Sequence, residues 1–254
     1  MRELRLKYRS KETALQVPAG WHELTPPQFM VAARLYTGNM AEDAFIKQFY
    51  NLPDKTVRRL STFQKYKLIE LVEFIQDACT PHAEFFLSSL PGTELMAPGA
   101  RLDGMCLQQF MMVDTFFSKY VATEKIEYLN AMVAYLYMGK NERFVLSDRD
   151  PDAVLLDFER HLSIVRSLDF DVLYAIFLNF VLIKKWLSRA YVHLFPEAEE
   201  PAHAKGQKMQ PVNWLDVFDS FVGDNIPYMD KYQAMPCTDA FRVMNRKIRE
   251  AKKR

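Results

Sequence analysis

Asp148, Asp150 and Asp152 alternate through "SDRDPD", a spacing at which carboxylates could share a divalent cation. A calcium loop also needs a glycine for its sharp turn, and here Arg149 and Pro151 interrupt the run, so the stretch reads as an exposed turn. His22, His82, His161, His193 and His203 include no pair four apart on a helix and no HExxH pattern, so no zinc site is expected. His161, between Arg160 and Leu162 with Glu159 close by, reads as a surface or capping residue. The three cysteines, Cys79, Cys106 and Cys237, show none of the close pairings of a metal or redox site, which points to free thiols in a reducing compartment. "MGKNE" lacks the leading glycine of a phosphate loop, and no G-x-S-x-G elbow presents a nucleophile. The expectation is therefore no catalytic residue, no metal and no cofactor.

The strongest local charge lies in "CTDAFRVMNRKIREAKKR". Phe241, Met244 and Ile248 make an apolar stripe there, while Arg246, Lys247, Arg249, Lys252, Lys253 and Arg254 crowd the end. Cations at a helix C-terminus oppose the helix dipole, and this alone accounts for some of them. The sharper reading is a partner-binding helix: Phe241, Met244 and Ile248 would dock in a groove of another protein, flanked by Arg246 and Arg249. Trp214 and Phe218 of the short amphipathic "VNWLDVFDSFV" would add to the contact. Nucleic acid is the weaker alternative, because aromatic side chains for base stacking are not interleaved with the basic ones. Methionine-rich stretches such as "QFMMV" and "NAMVAYLYM" suit adaptable surfaces but serve as core filler as well.

Such residues need a scaffold, and 254 residues with 49% hydrophobic side chains can build one. Thirty-three basic and 32 acidic residues leave a net charge of +1, so no global field marks a nucleic-acid or membrane binder. "MRELRLKYRSKET" is charged throughout and lacks the apolar core of a signal peptide, so a cytoplasmic location is expected. The apolar run Val172 to Ile183 would span ~18 Å as a helix, short of a ~30 Å bilayer core, and reads as a central buried helix. Phe177 is its expected core residue.

Few glycines and long stretches of helical periodicity predict an all-α protein, a multi-helix bundle with a small N-terminal β-hairpin from "LRLKY" and "ALQV". Thr25 caps the first helix, with Pro26 and Pro27 in its first turn, where a missing N–H costs nothing. A helix is expected through "KYKLIELVEFIQDAC", burying Leu68, Leu71, Val72 and Ile75, with "TPHAEFFLSSL" restarting it at Pro81. The order then begins again: Gln28 and Phe29 of "TPPQFMVAARLY" can be set on Gln109 and Phe110 of "CLQQFMMVDTFF". Further on, Leu60 and Ser61 can be set on Leu162 and Ser163, with a longer loop and a short strand near Phe144 to Leu146 between the two matches. Two similar helical units would follow, or the match is no more than shared leucine and phenylalanine periodicity. The expected organisation is 1–92 as hairpin and first unit, 93–195 as a second unit packed on it, 196–211 as a linker, and 212–254 as a C-terminal arm.

"VPAGWHELTPPQF", "YLNAMVAYLYMGKNERF" and "FERHLSIVRSLDFDVLYAIFLNFVLIKKWLSRAY" together resemble helical assembly proteins of tailed phages and prophages, notably tail-assembly chaperones. The resemblance implies a non-catalytic role in virion assembly and a phage tail structural protein as partner, an extended helical one such as a tape-measure protein. The second Gln-Phe at Gln109 and Phe110 departs from that family's pattern. The alternatives are an enzyme with a pocket between the two units and a helical nucleic-acid-binding protein.

Overall fold

Thr25 starts the first helix by a reciprocal cap: the Gln28 N–H donates to the Thr25 hydroxyl and the Thr25 N–H donates to Gln28 Oε1 at 3.0 Å. The computed structural model describes residues 2–8, 11–38, 40–76, 80–145, 152–196 and 213–253. Eleven helices run through these residues and the fold is mostly all-α, with a small antiparallel hairpin at the N-terminus. The chain divides into two compact units, Met1–His82 with Asp169–Leu182, and Ala83–Leu168 with Ile183–Arg254.

In the first unit, β1 (Arg2–Tyr8) pairs with β2 (Lys11–Val17) in the register Leu4 to Leu15, burying Leu6, Leu15 and Val17. A turn of 3-10 helix, Trp21–Glu23, places Trp21 out of solvent with its ring edge-on to Phe29. Helix α1 (Pro26–Tyr36) is followed by α2 (Glu42–Phe49) and the short α3 (Asp54–Val57). Helix α4 (Thr62–Glu70) has its own reciprocal cap between Ser61 and Gln64. It stops earlier than its periodicity predicts: a 3-10 turn at Glu73–Gln76 follows, and Leu71 is exposed. The restart at Pro81 does not occur either. No helix forms over 80–90, and backbone groups there are met from elsewhere: His82 donates to the Leu182 carbonyl, the Tyr137 hydroxyl to Leu87, and Ala97 to Ser88.

The second unit is built on α5 (Leu107–Thr123) and α6 (Ile126–Leu136), then β3 (Glu142–Arg143) paired in parallel with β4 (Val154–Leu155), and α7 (Phe158–Val165). Helix α8 (Phe170–Ala190) starts in the first unit and ends in the second. After it come α9 (Trp214–Val222), α10 (Met229–Gln233) and α11 (Cys237–Ala251). The expected division at residue 92 is thus replaced by one at His82, and the first unit recovers the start of α8, where Asp171 pairs with Arg34 at 2.9 Å. The expected linker, apart from Pro196, lies outside the described residues, as do Cys79, His203, Asp148 and Asp150.

The two proposed internal matches have different outcomes. At the first, Cys106 caps α5 as Thr25 caps α1, and Phe29 and Phe110 are both fully buried. Gln28 Nε2 reaches the Phe49 carbonyl at the end of α2, and Gln109 Nε2 reaches those of Tyr135 and Leu136 at the end of α6. In each case a glutamine in the first turn of one helix ties down the last turn of the next. At the second match the roles diverge, since Ser61 caps α4 whereas Ser163 sits inside α7.

Among the described residues no helix is long and apolar enough to cross a membrane. Within α8, Phe177 is only half-buried, and the fully buried ring is Phe180. Phe180→Ala should therefore cost about 3–5 kcal/mol, measured by urea unfolding, with Phe177→Ala, at the expected core position, costing less.

Candidate functional site

The residues expected to meet a partner are divided by the fold into two sets with opposite fates. Trp214, Phe218, Phe241 and Met244 are buried, and this corrects their assignment to an outward docking stripe. Phe241 lies 4.7 Å from the Phe110 ring and 5.1 Å from that of Phe195, and Trp214 packs edge-on to Phe110 at 5.4 Å. They are the second unit's core. Ile248 is half-buried on the same side, whereas Arg246 and Arg249 are exposed.

Two polar ties hold α9 and α11 in this position. The carboxylate of Asp114, only 1% exposed, accepts from the Trp214 indole at 2.8 Å and pairs with Lys184 Nζ at 2.6 Å. Lys184 in turn lies over the Phe195 ring at 5.0 Å. Asn245 Oδ1, on α11, accepts the N–H groups of His193 and Leu194 just past α8. At the start of α11 the chain runs beside the start of α5: Cys237 N–H donates to Met105 O and Leu107 N–H to Met235 O. The sequence signal missed was Asp114 itself, a lone carboxylate in "FMMVDTFF" that is too apolar a setting for an unpartnered charge.

With its apolar side committed inward, α11 turns a basic side outward. Arg242, Arg246 and Arg249 are exposed at helical spacing, about one per turn, and Lys252 and Lys253 extend the row past the helix end. Arg242 pairs with Asp239 at 3.2 Å; among the described residues Arg246 and Arg249 make no ion pair. This row is what remains available of the predicted contact.

The second unit also holds a cleft of about 590 Å³, lined by Met96, Met105, Cys106, Met138 and Glu142 among others. Glu142 is 6% exposed and its oxygens are engaged: Oε2 accepts the Gly139 N–H at 2.7 Å and faces His161 Nε2 at 2.7 Å, and Oε1 lies 3.4 Å from Arg160. His161, read from sequence as a surface residue, is completely buried. Its Nδ1 lies 3.1 Å from the Ala134 carbonyl, which only a ring N–H can meet, and its Nε2 stands close to the Glu142 carboxylate without hydrogen-bond alignment. The pair locks the β3 turn onto α6 and α7. A side chain at Gly139 would come within 2.9 Å of the Glu142 carboxylate and push it from these partners.

Cys106 and Cys237 are free, and burial raises the pKa of both thiols. The neutral thiol is thus the favoured form at pH 7, and in a Cys79→Ser background the native protein should resist iodoacetamide until unfolded, as read by mass spectrometry. Because the folded pKa is the higher one, the stability these thiols contribute is present at neutral pH and lost as pH rises beyond about 8.5.

Among the described residues no group of three or more His, Cys, Asp or Glu side chains could hold a metal ion. Comparison with family models, with curated proteins and with solved structures finds no match to this chain.

Proposed function

We propose that this protein is a non-enzymatic assembly protein of tailed-phage origin that recruits a tail structural partner through the outer face of α11. The observation that carries the reading is the exposed row Arg242, Arg246 and Arg249 on a helix whose opposite side is anchored in the core by Phe241 and Met244. An anchored helix presents its charges at fixed spacing without ordering a flexible arm on binding, which lowers the entropy cost of association. The resemblance of the sequence to tail-assembly chaperones supports the choice of partner, and action in the host cytoplasm goes with that reading.

The reading is tested by tagging the full chain in prophage-induced cells and identifying what co-purifies by mass spectrometry. Tail structural proteins, a tape-measure protein foremost, should be recovered with the wild type and lost by about tenfold or more with R246E/R249E. Recovery of nucleic acid with no tail protein would overturn it.

A further inference from the structure

Resting on that assembly reading, we infer that the partner element seated on α11 is an acidic α-helix bearing a carboxylate on each successive turn. The argument starts from the geometry of the row. Arg242, Arg246 and Arg249 span about 10 Å along α11 at ~1.5 Å per residue. A second α-helix repeats at the same pitch, so carboxylates at positions i, i+4 and i+7 of a partner meet the three guanidinium groups in one register. Arginine suits this task, since its planar fork takes a carboxylate through two parallel hydrogen bonds.

Charge around the row decides against a uniformly negative polymer. Asp239 and Glu250 are exposed on one shoulder of the same helix. Farther round the same flank, Lys247 Nζ donates to the Phe221 carbonyl, which brings the end of α9 beside α11; Asp216, Asp219 and Asp224 are exposed on α9 and just past it. A continuous phosphate backbone crossing α11 would meet these carboxylates along one flank of the row. No aromatic side chain stands on the row to stack a base. A helix that is acidic along one line and neutral or basic beside it complements the whole pattern.

The test uses the full chain and three labelled probes at low ionic strength. One is a helical peptide with glutamates at i, i+4 and i+7, the second has the same composition with its glutamates distributed round the helix, and the third is a duplex oligonucleotide of equal charge. Fluorescence anisotropy should show the first peptide binding at least about fivefold more tightly than either of the others, an advantage that R246E/R249E abolishes. R246K/R249K, which keeps the charge but not the fork, should retain only part of it. Equal binding of the two peptides, or tighter binding of the oligonucleotide, overturns the inference. So does a change of oligomeric state on R246E/R249E in the absence of probe, because the face would then belong to a second copy of the chain. The two proposals fail separately. Patterned-peptide binding without capture of tail proteins removes the assembly reading alone, whereas tail-protein capture that R246E/R249E abolishes, with equal binding of the two peptides, removes the acidic-helix inference alone; capture indifferent to R246E/R249E removes both.

Discussion

Asp114→Ala should lower the stability of the protein by about 3–5 kcal/mol, a loss measurable by urea unfolding. The size of the effect follows from what the substitution leaves behind. Lys184 loses its carboxylate at 2.6 Å, and the buried Trp214 indole loses the acceptor of its N–H. Both polar groups then lie in an apolar setting formed by Phe110, Phe195 and Phe241, where water cannot fully replace the lost partner. Asp114→Asn separates the contributions: it retains an acceptor for Trp214 but removes the negative charge, and should fall between alanine and wild type. In D114L/K184M the buried carboxylate and its half-buried partner are removed together, so this double variant should recover much of the loss. A D114A cost below 1 kcal/mol would show that the tie is incidental.

Truncation before Asn213 should unfold the second unit rather than release an arm. Trp214, Phe218, Phe221, Val222, Phe241 and Met244 would all be removed from the core, each contributing about 1.5–3 kcal/mol by burial. Together these approach or exceed the 5–15 kcal/mol by which an ordinary domain is stable. Phe110 and Phe195 would lose their contacts with Trp214 and Phe241 and be exposed to water. The expected result is loss of near-ultraviolet circular dichroism and aggregation or proteolysis of 1–212, in contrast to R246E/R249E, which alters only exposed side chains and should fold normally. A well-folded truncated protein of unchanged stability would restore the detachable arm that the sequence suggests.

Both effects concern the C-terminal segment, residues 213–253. Its amphipathic stripe was legible: Phe241, Met244 and Ile248 do share one side of a helix. Which surface covers that stripe was not, because periodicity records only that a face must be buried and is silent on whether the cover is a partner or the same chain. A polar stretch in the sequence suggests a break there, yet the contact of Asp114 with Trp214, a hundred positions apart, crosses it. His161 was misjudged for the same reason. Its charged neighbours Glu159 and Arg160 are exposed, while the one residue that explains its burial, Glu142, lies in a different element.

Local chemistry determined the class of the protein and its helix starts. Threonine before two prolines acts over a single turn and strand alternation over a few residues, so α1 and the N-terminal hairpin can be read without knowing what they pack against; α4, expected from Lys65, starts earlier, at the cap between Ser61 and Gln64. The same holds for the Gln-Phe at residues 28–29 and 109–110, whose caps and buried rings correspond. Tertiary structure alone decided that α8 is divided between two units, that "TPHAEFFLSSL" stays non-helical, and that α11 faces inward with its phenylalanine and outward with its arginines. The physical reason is range. Caps and propensities are energies of neighbouring residues, whereas burial is fixed by the surfaces that long-range folding brings together, and these select among faces that the sequence leaves equivalent.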